Sequence, residues 1–433
     1  MSKSGPLPRF QVSKEDQHDY QVLADEILHE TLTAYETHMY ANDRQVDRNR
    51  WKSVRKREQL EVLREREGTE QPERERGGSG HFDMEIGPTA SMAANSSMPL
   101  MMAVGSMPGT LDDAMYGTFV DDTPSLRVRM SYQHDSMDDC AVVASFKLPT
   151  EQDPFQFLGV NWFLRDLPGI PGAVVRRRDF LMLAATGLST TSRGERIGYY
   201  ILHSISHSSF PELSRQSIVR GKMSLCLIYR QLDANSVDIF MQVLLDPCGN
   251  VMNFLVIQEC SHTLMTSGKA VACAHKKKLF WFMRHKHRRL SSSSSTGAST
   301  GSENSFEEQS CDACAAPLGE IFSCSGSMCQ LYQKIVCSRC CVTKKMTLDA
   351  TAFEVTQRPM YFCLSCMVLT KKHPAAQIAW HEFQEKQQQR RRRQARLLRS
   401  QSESTVSVDS AASKSSSGRR PTARSRFGST HCA

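Results

Sequence analysis

The sequence predicts an α+β protein in which an antiparallel sheet is closed by a long helix and followed by a small metal-bound finger. Three observations predict it. Runs of alternating apolar residues fill the middle of the chain. A segment with its apolar residues on one helical face follows them. Nine of the fifteen cysteines then lie between Cys311 and Cys366.

The elements follow in order. In residues 17–66, Tyr20, Leu23, Ala24, Ile27 and Leu28 recur at helical spacing, and Leu60, Val62 and Arg64 alternate with Glu61 and Leu63 as a short strand. Residues 67–98 are charged, Gly-containing and then small and polar, which predicts a flexible insertion. TLDDAMYGTF (110–119) reads as a helix with Thr110 as its N-cap and Asp112 and Asp113 in its first turn. DFLMLAAT (179–186) is a strand ended by Gly187, and Tyr199, Ile201, His203 and Ile205 share one face of another. Met223, Leu225, Leu227 and Tyr229 lie on one strand face, and Val237, Ile239, Met241, Val243 and Leu245 on the next. The turn-like LDANS between them predicts an antiparallel hairpin. After the turn DPCGN (246–250), Phe254, Ile257, Cys260 and Leu264 mark one face of a single long helix. A helix laid over an apolar sheet face commonly encloses a cavity suited to an apolar ligand.

Charge narrows the function. Lys and Arg number 54 against 46 Asp and Glu, a formal +8. Twelve basic and two acidic residues lie from Lys386 onward, so the remainder sums to −2. The basicity belongs to a tail, and nucleic acid is not an expected partner. No run approaches the ~20 apolar residues of a membrane helix. The N-terminus lacks the apolar segment of a signal peptide, which predicts a cytoplasmic chain with reduced cysteines. No Gly-rich phosphate loop, HExxH or GxSxG is found, and Ser53-Val-Arg-Lys56 fits SxxK only by chance, so no enzyme is expected.

WFLRDLPG (162–169), RRRDFLMLAATG (176–187) and VLLDPCGNVMNFLV (243–256) resemble the START lipid-transfer family. The likeness rests on Arg178, Asp179 and Phe180 at the strand entry and on Asp246, Pro247 and Gly249 in the turn. DRQVDRNRWKSVRKREQLEVLRERE (43–67) resembles the opening of START-like domains in large multi-domain families of oomycete type. The resemblance spans about residues 17–275 and implies a helix-grip fold with a sterol, phospholipid or other apolar ligand. It carries over no lining residue. Were the pocket real, Tyr199, Ile201 and His203 would project together, with His203 orienting a polar head. His203 and His207, four apart, are read as polar lining or satisfied groups rather than metal ligands.

The cysteines are spaced C-x2-C-x9-C-x4-C-x7-C-x2-C-x22-C-x2-C. A CxxC turn brings two thiolates to one Zn²⁺ at about 2.3 Å, and eight ligands suffice for two structural ions with no position left for water. A segment this short needs the metal to fold. The all-cysteine set and KIVCSRCC (334–341) resemble the FYVE family of zinc fingers. In such cross-brace fingers alternate pairs share an ion. The resemblance therefore assigns Cys311, Cys314, Cys337 and Cys340 to one site and Cys324, Cys329, Cys363 and Cys366 to the other, with Cys341 as a spare that could displace Cys340. Members of that family bind phosphatidylinositol 3-phosphate on endosomal membranes. Here EIFSCSGSMC (320–329) carries no base, the Trp-x-x-Asp motif is missing and Ile335 replaces an Arg, so a phosphate would meet no cationic donors. A RING-type ubiquitin ligase module would use a His among the middle ligands, and none occurs between Cys311 and Cys366.

These readings divide the chain into a START-like domain (17–275, with 67–98 inserted), a basic and Ser-rich linker (276–304), a FYVE-like finger (305–372) and a basic helix with a disordered Ser/Arg-rich tail (375–433). In the linker, HKKKLFWFMRHKHRR (275–289) suits an anionic membrane surface. The expected function is a non-catalytic lipid-binding or transfer adaptor, peripheral on endosomal or other membranes, with protein partners held by the finger or tail. A ubiquitin-ligase or purely protein-binding scaffold is the alternative.

Overall fold

The computed structural model describes residues 7–66, 87–133, 138–166, 176–213, 217–293, 310–318, 326–351 and 355–412. Helix α1 (Lys14–Glu36) opens on a reciprocal cap. Ser13 Oγ accepts from Asp16 N at 2.9 Å, and the Asp16 carboxylate accepts from Ser13 N at 2.8 Å. Tyr20, Ala24 and Ile27 form its buried stripe. Two strands follow where one was expected, β1 (Trp51–Arg57) and β2 (Leu60–Glu65). WKSVRKR hides its strand character because β1 lies at the sheet edge, where charges discourage pairing with other chains.

Within the expected flexible insertion 67–98, residues 67–86 lie outside the described residues, but Pro88–Ala94 form helix α2. Its first N–H groups are capped from a distance. The Glu30 carboxylate of α1 accepts from Thr89 N at 3.0 Å and Ala90 N at 2.9 Å. No local residue announces such a cap.

Strand β3 (Met101–Pro108) leads to α3 (Leu111–Thr118), α4 (Thr123–Gln133) and strands β4 (Asp139–Lys147), β5 (Phe157–Arg165), β6 (Arg178–Thr190), β7 (Arg196–Ser204), β8 (Val219–Arg220), β9 (Lys222–Asp233) and β10 (Ser236–Asp246). Thr110 caps α3, accepting from Asp113 N at 3.2 Å. The sheet order is β1-β2-β3-β10-β9-β7-β6-β5-β4, antiparallel throughout, with β8 parallel beside β6. The β9–β10 hairpin pairs Tyr229 with Ile239 and Leu225 with Val243. Arg178 donates to the carbonyls of Pro247 (3.3 Å) and Cys248 (3.2 Å), so the strand entry and the turn read from sequence meet in space.

The long helix expected from residue 250 is broken. Helix α5 (Asn253–Met265) passes through a 3-10 turn (Thr266–Lys269) into α6 (Ala270–Ser293). The hydroxyls of Thr266 and Ser267 donate back to the carbonyls of Thr263 (2.6 Å) and Leu264 (2.7 Å), a local competition that breaks regular helix. Helix α6 then lies close on α3: a Cβ on Gly117 would sit 1.9 Å from the Ala270 carbonyl oxygen.

The sheet is covered on both faces. One face meets α3, α4, α5 and α6 through residues such as Met115, Leu126, Leu264 and Val271. The other buries Trp162, Leu181 and Leu183 under α1. On that side the buried Asp179 accepts from Trp162 Nε1 (3.0 Å) and from Arg220 Nε (3.0 Å) and Nη2 (2.9 Å).

Residues 276–293 of the expected linker belong to α6. Leu279 is buried in the finger core, Trp281 packs against the sheet module and Phe282 against both. Residues 294–304 lie outside the described residues.

The finger comprises β11 (Ser327–Met328), β12 (Ile335–Val336), β13 (Cys341–Ala350), β14 (Val355–Cys363) and α7 (Leu364–Lys372) around Leu331, Val336, Met346 and Phe362. It is docked on the sheet module. Thr347 N donates to Tyr132 Oη at 3.0 Å, and the buried Lys278 ammonium sits 2.6 Å from Asp113 Oδ1 and donates to the carbonyls of Lys371 (3.1 Å) and His373 (2.6 Å). The chain divides into two units, Met1–Trp380 and His381–Ala433. Helix α8 (Ala375–Ala412) begins in the first unit and runs past the expected end at 399, since extending a formed helix is cheap. Residues 388–398 are exposed, and 413–433 lie outside the described residues.

Candidate functional site

Alternation on β9 and β10 places Met223, Leu225, Leu227, Tyr229, Met241, Val243 and Leu245 on one face, and all seven line an apolar cavity of about 110 Å³ beneath α5. Cys260, Thr263 and Leu264 of α5 and Thr266 and Ser267 of the 3-10 turn form its roof. No sequence pattern points to the two arginines at its margin. Arg129 donates to the Thr118 carbonyl (3.0 Å) and to Tyr200 Oη (3.1 Å). Arg165 pairs with Glu259 and donates to Thr263 Oγ1 at 3.0 Å, which ties α5 to β5. Both arginines are about 6% exposed, so they are held by hydrogen bonds rather than by water.

The expected lining residues Tyr199, Ile201 and His203 project from the opposite face of β7. Tyr200 and Leu202 face the cavity instead. A one-residue change of parity reverses a strand face, and β7 is buried on both sides, so its apolar pattern does not declare which face is which. His203 Nδ1 lies 3.0 Å from Ser224 Oγ, which in turn lies 2.9 Å from Thr89 Oγ1. Burial pushes His203 down from 6.5 to about 4. The unfolded chain then binds the extra proton between pH 6.5 and 4. This contribution to stability, about 3 kcal/mol, is full above pH 6.5 and is lost as pH falls toward 4. Urea unfolding across that window is expected to show the slope in the wild type and a flatter one in His203→Leu. His207 is engaged elsewhere, with Nδ1 2.8 Å from Ser209 Oγ.

The cysteines form two groups. The sulfurs of Cys311, Cys314, Cys337 and Cys340 lie within 4.8 Å of one another, and so do those of Cys329, Cys363 and Cys366. Cys324 lies outside the described residues, and Cys341 stands opposite Cys363 in the β13–β14 ladder, outside the group. The separations fit a metal. Cys314 Sγ and Cys337 Sγ are 3.7 Å apart, and Cys329 Sγ and Cys366 Sγ 3.6 Å. Tetrahedral Zn–S bonds of about 2.3 Å require roughly 3.8 Å between sulfurs, whereas a disulfide needs about 2.05 Å. Backbone N–H groups also point at the sulfurs. Cys337 N donates to Cys311 Sγ (3.2 Å) and Cys363 N to Cys329 Sγ (3.3 Å). Burial raises the Cys311 thiol, but the N–H groups of Cys337, Ala313 and Cys314 hold it down at about 6. Such thiolate sets can bind ions such as zinc.

No protein-family model matches the chain, and no curated protein matches it. Several solved structures are similar at low identity. Human StAR-related lipid transfer protein 5 has 14% identity and a TM-score of 0.37, covering 59% of this chain and 96% of that one. Human STARD10 has 12% identity and a TM-score of 0.34, covering 66% and 88%. The lipid transfer and protein localization domain of human StarD13 (DLC2) has 9% identity and a TM-score of 0.33, covering 56% and 95%. Likenesses this loose do not place the chain in that family.

Proposed function

We propose that the chain is a non-catalytic, zinc-bound lipid-binding adaptor: a START-type helix-grip module whose closing helix also carries a FYVE-like, cross-brace finger. The apolar cavity between one sheet face and α5 carries this reading. Such a space shields an apolar molecule from water. At about 110 Å³ it is smaller than the roughly 300–1,000 Å³ of a ligand pocket. A lipid therefore enters with α5 displaced, after the Arg165–Glu259 pair opens. Methionines 223 and 241 in the wall can repack around the guest. The two cysteine groups hold one Zn²⁺ each, with the fourth ligand of the second group supplied by Cys324. The zinc is structural and keeps the finger seated on α6. The adaptor acts at cytoplasmic membrane surfaces.

Native mass spectrometry of the full chain purified from cells tests both halves. Two zinc ions and an apolar small molecule released on denaturation are expected. A protein carrying zinc but never a guest, even after incubation with mixed lipid vesicles, would be the protein-binding scaffold instead. The small cavity is the specific observation that favours that second reading.

A further inference from the structure

We propose that the lipid cavity continues along β5 to Asn161 and that its guest carries a neutral hydrogen-bonding group, a hydroxyl or carboxamide, which that amide receives. The inference rests on the lipid-binding reading above. Asn161 is 0% exposed, and neither Oδ1 nor Nδ2 has a hydrogen-bond partner among the described residues. A buried amide left unpaired is destabilising and calls for a reason.

Strand parity supplies the direction. Asn161 shares its face of β5 with Phe163 and Arg165, both of which line the cavity. Asn161 is paired across the ladder with Met182, and Phe163 with Phe180, also a lining residue. The amide therefore stands one same-face step, about 6.6 Å, beyond a wall made by two phenylalanine rings. Rotation of these rings and repacking of the flexible Met182 side chain would extend the cavity to the amide.

The chemistry of the guest follows from the donor set. Asn offers an acceptor and two donors but no charge. It suits a group that both gives and accepts a hydrogen bond. It does not suit a carboxylate or phosphate, which would be buried there without a counter-charge. The terminal nitrogens of the arginines at the other end are engaged, Arg165 by Glu259 and Thr263 and Arg129 by Thr118 and Tyr200, which leaves Arg165 Nε there without a partner among the described residues. An apolar molecule with a single neutral polar end, entering that end first, fits this arrangement.

The test uses the full chain with dodecan-1-ol and dodecyl methyl ether as probes, each competing with Nile red. The wild type is expected to bind the alcohol roughly tenfold more tightly than the ether, as one neutral hydrogen bond gives. Asn161→Leu is expected to bring that ratio within twofold while retaining Nile red, and to unfold at higher urea when empty. An alcohol-to-ether ratio near one in the wild type overturns the proposal without recourse to the variant. So does an unchanged ratio in Asn161→Leu, or a loss of its empty-state stability, since the amide would then already be satisfied. Failure of the wild type to bind Nile red or either probe would instead overturn the lipid-binding reading itself.

Discussion

Replacing Cys337 with serine is expected to release one equivalent of zinc and to unfold the finger. Cys337 is 2% exposed and groups with Cys311, Cys314 and Cys340, so a lost ligand cannot be replaced by water without opening the core around Val336 and Phe362. Structural zinc in small fingers contributes on the order of 10–16 kcal/mol of folding free energy at neutral pH, more than this segment's small apolar core can supply alone. Native mass spectrometry counts the metal, and amide exchange over 310–318 and 326–351 reports the unfolding. A chelator should reproduce the effect in the wild type. Unchanged zinc content in the variant, or full amide protection after chelation, would remove the metal from the account. Acid should release the ion as well, because the ligands must be thiolates.

The second large effect is expected at Lys278. Its ammonium lies within 2.6 Å of Asp113 and bonds two carbonyls at the end of α7, with the side chains of the pair only 2% and 6% exposed. Lys278→Met keeps the volume but strands the carboxylate, leaving His275 Nε2 beside it at 3.5 Å. Breaking one half of a buried pair costs about 3–5 kcal/mol, and urea unfolding should register a loss of that size. Exchange along α7 should rise with it. A loss below about 1 kcal/mol would mean that the pair does not secure the finger.

Asp113 gives the same contact a pH signature. Burial works against its charged form, but hydrogen bonds from His275 and Lys278 and their charge outweigh it, and the carboxyl is held below its ordinary 3.8. A depressed carboxyl pKa stabilises the fold above the ordinary value, and the contribution disappears as pH falls through the lower folded one. The contact is therefore intact at neutral pH and weakens only in strong acid.

Legibility followed the physics of each element. The β9–β10 hairpin could be read because two apolar runs of strand length flank the turn-like LDANS, although both of its faces are buried and the sequence did not say which one faces the cavity. The cysteine groups could be read because closely spaced cysteine pairs repeated within so short a segment have metal binding as their commonest use. Strand β7 could not be oriented, since Ile201 and Leu202 are both apolar and both buried, on opposite faces. The edge strand β1 pairs with the adjacent β2 alone among the described strands, and its charges mask the strand pattern, while helix α2 depends on a cap from Glu30, some sixty residues earlier in the chain. Lys278 reads in sequence as one more base of the basic, aromatic segment 275–289, because its carbonyl partners lie more than ninety residues onward. Asn161 gave no signal at all: a lone Asn between Val160 and Trp162 acquires meaning only when its amide is seen to lack a partner.

The shared helix α6 also sets an order of events during synthesis. The sheet module leaves the ribosome first, with Leu279, Phe280 and Met283 ready but their covering partner not yet made. On the zinc-bound reading proposed above, that greasy ridge stays open to chaperones until the last cysteines of the finger, Cys363 and Cys366, emerge and the metal can be captured. In a zinc-starved cell the nascent protein would linger with the ridge bare, and its abundance would track metal supply through quality control rather than through lipid.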